Sequence, residues 1–261
     1  MKPGQDITRV AIVGARGQMG ALFVRAFHKA GLDVATLDRP YDPDATGDAI
    51  KAALAGAQLV ILSVPVTAMG DVARTLAPAL EPGAILADVC SVKVHPLGQM
   101  LGAYAGPVVG THPLFGPVIP DGFEPRVAVT PGRENANGDA AGAVSRLFAR
   151  AGFSPFDSTA EEHDRAMACV QGLNFITTVA YLAAARQVPG IEKFLTPSFE
   201  RRLEAARKML TQDRELFQLI SEDNPFMQET VRQFTAYLDI AAGGDLDLLS
   251  ARASWWWRDK A

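Results

Sequence analysis

The segment Gly110-Thr111-His112-Pro113-Leu114-Phe115-Gly116-Pro117 places an imidazole just past an apolar run, Pro107 to Val109, that reads as a strand. Histidine is the side chain whose ordinary pKa lies nearest neutrality, so His112 is suited to accept a proton at pH 7. Open α/β sheets bind ligands at the carboxyl ends of their strands, where this ring would stand. An earlier apolar run ends in Asp88-Val89-Cys90-Ser91-Val92-Lys93. Ser91 precedes His112 by 21 residues, room for one helix and a return to the neighbouring strand. Its hydroxyl is therefore expected to converge on the imidazole and orient it. Lys93 either approaches a substrate or faces solvent.

A nucleotide site is expected beside these groups. Arg9 to Val13 has the pattern of a buried strand and runs into Gly14-Ala15-Arg16-Gly17-Gln18-Met19-Gly20, after which Leu22, Phe23, Ala26 and Phe27 recur at helical spacing. Glycines allow the tight turn and let a pyrophosphate approach the amides at the helix N-terminus, where the helix dipole favours an anion. Gly14, Arg16, Gly17, Gln18, Met19 and Gly20 are the candidate cofactor residues. A second strand, Asp33 to Asp38, ends in a carboxylate 18 residues beyond Gly20. An acid there bonds an adenosine ribose and repels a 2′-phosphate, which favours NAD over NADP. Arg39, next to it, could instead pair with such a phosphate. Ser63, Val64 and Pro65 close the third apolar run at the same cleft.

The elements that must position these residues follow from the pattern. Strands are predicted at Arg9 to Val13, Asp33 to Asp38, Gln58 to Val64, Ala84 to Asp88, Pro107 to Gly110, Arg126 to Thr130 and Phe153 to Phe156, alternating with helical patterns. This is the signature of a doubly wound, mainly parallel Rossmann-type sheet. Near Ser158 the character changes to long helices, opened by the capping-box sequence Thr159-Ala160-Glu161-Glu162. The division predicted is a dinucleotide-binding domain over residues 1–158 and an all-helical substrate and dimerisation domain over residues 159–261, with catalysis in the cleft they form.

Composition excludes several function classes. With 48% hydrophobic and 21% charged residues in 261, the chain can bury a sizeable core. A net charge of −4 gives no electrostatic footprint for nucleic acid or an anionic membrane. Cys90 and Cys169 are too few for a disulfide framework and lack metal-ligand spacing, so both are read as reduced, buried thiols. The N-terminus has no apolar signal core and no apolar run is seen to reach the length of a membrane span, which makes cytoplasm the expected compartment.

The glycine turn, Ser63-Val64-Pro65, Asp88-x-x-Ser91-Val92-Lys93, His112-Pro113-Leu114-Phe115-Gly116-Pro117, Glu162-His163-Asp164 and Val170-Gln171-Gly172-Leu173 follow in the order seen in prephenate dehydrogenases. The chain resembles that family from Val10 to about Trp256, and with no chorismate mutase segment before it and no regulatory domain after it, the resemblance is to a monofunctional member. It implies NAD-dependent oxidative decarboxylation of prephenate to 4-hydroxyphenylpyruvate in tyrosine biosynthesis, with His112 as general base and Ser91 either hydrogen-bonding the same substrate hydroxyl or fixing the imidazole rotamer, in a homodimer joined through the helices. His163 is read as either a neighbour of the helix cap or an active-site residue. Many members place an arginine on the first helix of the second domain to clamp a substrate carboxylate; here that position is Asn174. Gln171, Asn174 and Thr178 are expected to share a helical face as a neutral polar wall. Arg126, Arg201, Arg207 or Lys208 could supply the missing charge, or the substrate carries an amine, as in arogenate or 4-amino-4-deoxyprephenate. A non-catalytic NAD-binding sensor would keep the fold without turnover, and retention of both Ser91 and His112 argues against it.

Overall fold

The computed structural model describes residues 6–38, 47–134 and 138–258. Strands form where the sequence predicts them: β1 (Arg9–Val13), β2 (Asp33–Leu37), β3 (Leu59–Leu62), β4 (Ile85–Asp88), β5 (Val108–Pro113), β6 (Arg126–Arg133) and β7 (Ser154–Asp157). They pair in the order β2-β1-β3-β4-β5-β6-β7, and every neighbouring pair is parallel except β5 with β6. The connection from Leu114 to Pro125 contains no helix, and without a crossover helix the chain returns antiparallel.

Period-two alternation assigns each strand's side chains to two layers. Val10, Ile12, Leu59, Ile61, Ile85 and Ala87 join one core with α1 (Gln18–Lys29). Ala11, Val13, Val60, Leu62 and Leu86 join the opposite core with α2 (Gly47–Leu54), α3 (Met69–Leu76) and α4 (Val94–Ala103). α5 (Ala140–Arg150) lies on the first face, where Phe23, Phe27 and Phe148 pack edge to face or offset at centroid separations of 5.7–5.8 Å. Each such fully buried ring contributes about 1.5–3 kcal/mol of transfer free energy. With helices on both faces, β3 is apolar and buried throughout and β1 is so beyond Arg9, as central parallel strands require.

The strand order reverses at β1, which has β2 on one side and β3 on the other. That switch point opens a crevice at the carboxyl ends of β1 and β3. The carboxyl ends of β4 and β5 lie on the same edge, because all five strands run parallel.

The chain divides into two compact units, Met1–Met167 and Ala168–Ala261. The division falls one helix later than Ser158, because α6 (Ala160–Met167) is tied into the first unit through buried His163 and Asp164. The capping box at its start is formed as the sequence suggests: Thr159 N–H donates to Glu162 Oε2 at 2.9 Å and Glu162 N–H to Thr159 Oγ1 at 3.2 Å.

The second unit holds α7 (Asn174–Ala185), α8 (Pro197–Thr211), α9 (Arg214–Asp223), α10 (Met227–Ala242) and α11 (Leu246–Ala253), preceded by a π-helical turn over Ala168–Leu173. Its buried hydrophobic residues, among those described, are Ala168, Ala206, Ile220 and Met227. Trp255, Trp256 and Trp257 stand 49%, 69% and 80% exposed and complete no core within it. Two readings of composition need correction. Cys90 is buried but Cys169 is exposed. The helical run Ala160–Ala185 does reach the length and mean hydropathy, 1.4, of a membrane span. Its first turns nevertheless carry Glu161, Glu162, His163, Asp164 and Arg165, and Asp164 is bonded to amides of the first unit.

Candidate active site

The glycine turn is built by close approach. Gly14 takes φ +85°, a left-handed conformation natural to glycine. A Cβ there would strike the carbonyl of Ser63, and one on Gly20 would strike the carbonyl of Gly14. The turn is therefore pressed against the end of β3 on one side and the first turn of α1 on the other. Gly17 caps α1 in an extended conformation, and the first intrahelical bond runs from Ala21 N–H to Gly17 O at 2.8 Å. The amides of Gln18, Met19 and Gly20 thus have no carbonyl behind them within the helix and can receive an anion.

Asp38, just past β2, does more than wait for a ligand. Its Oδ1 accepts the Arg16 N–H at 3.0 Å, and its Oδ2 lies 3.7 Å from Arg16 Nε. The acid holds the turn in shape, with its side chain 20% exposed. Arg39 lies outside the described residues. Ser63 is fixed by its N–H donating to Val13 O at 2.8 Å; Val64 is half-buried and Pro65 exposed at the same edge.

His112 lies inside β5, paired with Ala128 of β6, rather than past the strand's end. It is 3% exposed. Burial pushes its pKa well below 6.5, and the neighbouring His163 and Lys93 push it further the same way. An uncharged ring, the form that can act as a base, is the result. Ser91 makes no hydrogen bond to this ring among the described residues; instead His112 Nδ1 lies 2.8 Å from His163 Nε2. His163 Nδ1 lies 2.7 Å from Asp164 Oδ1. Asp164 also accepts the Lys93 N–H at 2.7 Å and the Val94 N–H at 2.8 Å, so it caps α4 from α6. His163 is thus part of the cluster and not merely a neighbour of the cap.

Lys93 neither faces solvent nor is open to a substrate. It is completely buried, its ammonium paired with Asp88 Oδ2 and donating to Thr111 O at 2.7 Å. Asp88 further accepts the Cys90 and Thr111 amides at 2.9 and 3.1 Å. Gly110 leaves room for this: a Cβ there would lie 3.1 Å from Lys93 Cδ. The pair locks the ends of β4 and β5 side by side, which fixes the strand carrying His112.

In the second unit, the π-helical turn shifts the phase of Gln171 relative to Asn174, while Asn174 and Thr178 remain i, i+4 neighbours in α7. Asn174 is exposed, Thr178 is buried, and Gln171 is half-buried with a buried Oε1 that has no hydrogen-bond partner. Among the alternative cations, Arg126 pairs with Glu124, Arg207 with Glu204 and Lys208 with Asp213; Arg201 is exposed.

Two residues central to this site, Asp88 and Asp164, are missed as site groups by reading the sequence. For Asp164 a signal exists. Asp164, Met167 and Ala168 follow i, i+3, i+4 spacing, which puts a carboxylate on the apolar stripe of a helix.

Comparison with known proteins agrees with this architecture. Residues 38–149 match the family of the prephenate dehydrogenase nucleotide-binding domain. The chain is 32% identical over 267 aligned residues to the T-protein of Enterobacter agglomerans, covering 98% of this chain and 69% of that protein. It is 31% identical to the T-protein of Haemophilus influenzae, covering 87% of this chain and 60% of the relative. Among solved structures, prephenate dehydrogenase from A. aeolicus in complex with hydroxyphenyl propionate and NAD+ superimposes with a TM-score of 0.76 at 18% identity, over 96% of each chain. At that identity the likeness is one of fold.

Proposed function

Because the chain belongs to the prephenate dehydrogenase family, we propose that it oxidatively decarboxylates prephenate to 4-hydroxyphenylpyruvate and carbon dioxide, with NAD as cofactor. Family members are oxidoreductases. The observation that carries the reading is the buried, uncharged imidazole of His112 on the same sheet edge as the glycine turn.

The turn fits a dinucleotide on its own geometry. The close approach at Gly14 and Gly20 leaves the first amides of α1 open to a pyrophosphate, and Asp38 stands at the end of β2 for a ribose. The A. aeolicus relative was solved with NAD+. NAD bound here supplies the hydride acceptor. The chain's own task is to take the proton of the ring hydroxyl on the carbon being oxidised, and His112 does so as general base. Such assistance typically contributes about 10²–10⁴-fold. Ser91, half-buried and free of any bond to the imidazole, is left to hydrogen-bond the substrate hydroxyl. Aromatisation drives loss of the ring carboxylate, so most of the remaining work is positioning.

A second reading rests on Asn174. An exposed neutral amide stands where many relatives carry a guanidinium, and an amide holds a carboxylate more weakly than a bidentate arginine. A substrate with an amine, arogenate or 4-amino-4-deoxyprephenate, is the reading this favours. The helical unit serves the substrate and joins two copies of the chain, whose contact covers apolar residues such as Tyr237, Leu238 and Trp256 that the single chain leaves exposed. Steady-state kinetics on prephenate and arogenate, each with NAD and NADP, decide the matter. The leading reading expects the highest kcat/KM for prephenate with NAD; higher values for arogenate establish the amino substrate, and no hydride transfer with these two or with 4-amino-4-deoxyprephenate rejects both.

A further inference from the structure

We infer that His163 and Asp164 are positioning residues that select which nitrogen of His112 is the base, placing the proton on Nδ1 and leaving Nε2 bare. The inference rests on the reading of His112 as the base and adds to it the direction of every hydrogen bond behind the ring.

The direction is set at Asp164. Backbone amides can only donate, and those of Lys93 and Val94 point at Oδ1 and Oδ2 at 2.7 and 2.8 Å. Facing donors on both oxygens, the side chain acts as an acceptor. His163 Nδ1, 2.7 Å from Oδ1, must then carry a proton and donate it. The inference takes His163 as uncharged, like His112; one of its nitrogens then donates and the other accepts, so His163 Nε2 is an acceptor. His112 Nδ1, 2.8 Å away, must donate to it. By the same rule the Nε2 of His112 bears the lone pair. When that lone pair takes the substrate proton, the new imidazolium already points its Nδ1–H toward a ring backed by a carboxylate. The positive charge is thereby compensated inside a buried site.

The origin of this arrangement is structural. Asp164 sits 0% exposed where α6 meets the start of α4. The helix that leads away from Ser91 and the helix that carries His163 are thus joined by one carboxylate. A purely structural role for His163 would need only its volume, whereas the assigned role needs an acceptor toward His112 and a donor toward Asp164.

That difference supplies the test. In the full chain with ¹⁵N-labelled histidine, His28→Gln and His95→Gln remove the two exposed rings and leave the spectrum to His112 and His163. At pH 7.5 both rings are expected as the Nδ1–H tautomer. Gln at position 163 can accept from His112 and donate to Asp164, so His163→Gln keeps the His112 tautomer. His163→Leu cannot, and it should produce a measurable Nε2–H population and lower kcat at least tenfold more than His163→Gln, with KM for NAD unchanged. A wild-type His112 found as Nε2–H overturns the inference even if no variant folds, as do Gln and Leu variants that behave alike. Failure of the base reading shows separately, as full turnover in a His112→Asn enzyme.

Discussion

The carboxyl ends of β4 and β5 and the helices after Met167 are two regions of one chain built on opposite terms. In the first, the polar side chains are buried and answered: Lys93 by Asp88 and Thr111, Asp164 by two amides and His163, and the uncharged His112 by His163. In the second, ion pairs such as Glu204 with Arg207 lie on exposed side chains, and large apolar residues remain at the surface. The difference teaches where each region's shape comes from. The sheet edge is over-determined by its own hydrogen bonds, whereas the helical unit buries few apolar residues of its own among those described.

The sharpest way to break this comparison is to remove one charge from each region. Lys93→Met strands the carboxylate of Asp88 in the interior and should cost about 3–5 kcal/mol in urea unfolding. Arg207→Ala removes an exposed partner and should leave the midpoint within experimental error. Equal losses would mean that the two regions are not held differently.

A smaller effect follows from His112. Its folded pKa is depressed, so below pH 6.5 the unfolded chain binds a proton that the folded chain refuses. The contribution is present in full above pH 6.5 and is lost as pH falls through and below that value, at up to about 1.4 kcal/mol per pH unit. Denaturation at pH 7.5 and 5.5 should therefore show a larger fall for the wild type than for His112→Asn; identical falls would remove the buried neutral ring. Least costly to the fold is Trp256→Ser with Trp257→Ser. Both side chains are exposed, so stability of the single chain should hardly change, while sedimentation should shift from dimer to monomer. A wild type that sediments as a monomer would show that these rings serve another purpose.

What could be read from the sequence divides along the same line. Strand positions and the glycine turn were legible because their signals are local: a period of two, a turn that needs glycine, a carboxylate at a strand end. The capping box at Thr159 is local too. The partners of His112 were not, because His163 lies 51 residues away and the bond from the Lys93 amide to Asp164 spans 71. Only the folded sheet brings them together. The sequence also suggested Ser91 as the group that orients the imidazole, since proximity along neighbouring strand ends cannot tell which of two polar groups reaches Nδ1. Lys93 was misread for a related reason. A lysine is almost never fully buried unless paired, and its partner Asp88 announces itself only once Thr111 and Gly110 are seen to wall the pocket. The π-helical turn at Ala168–Leu173 left no local mark; it shifts the phase of Gln171 against Asn174, while Asn174 and Thr178 keep their i, i+4 relation within α7.

The central claim is that the uncharged imidazole of His112 takes the substrate proton. Single-turnover reduction of NAD by His112→Asn, with cofactor affinity measured on the same protein, tests it most directly. The account predicts a rate lower by about 10²–10⁴-fold at nearly unchanged NAD affinity. A rate close to that of the wild type would contradict it.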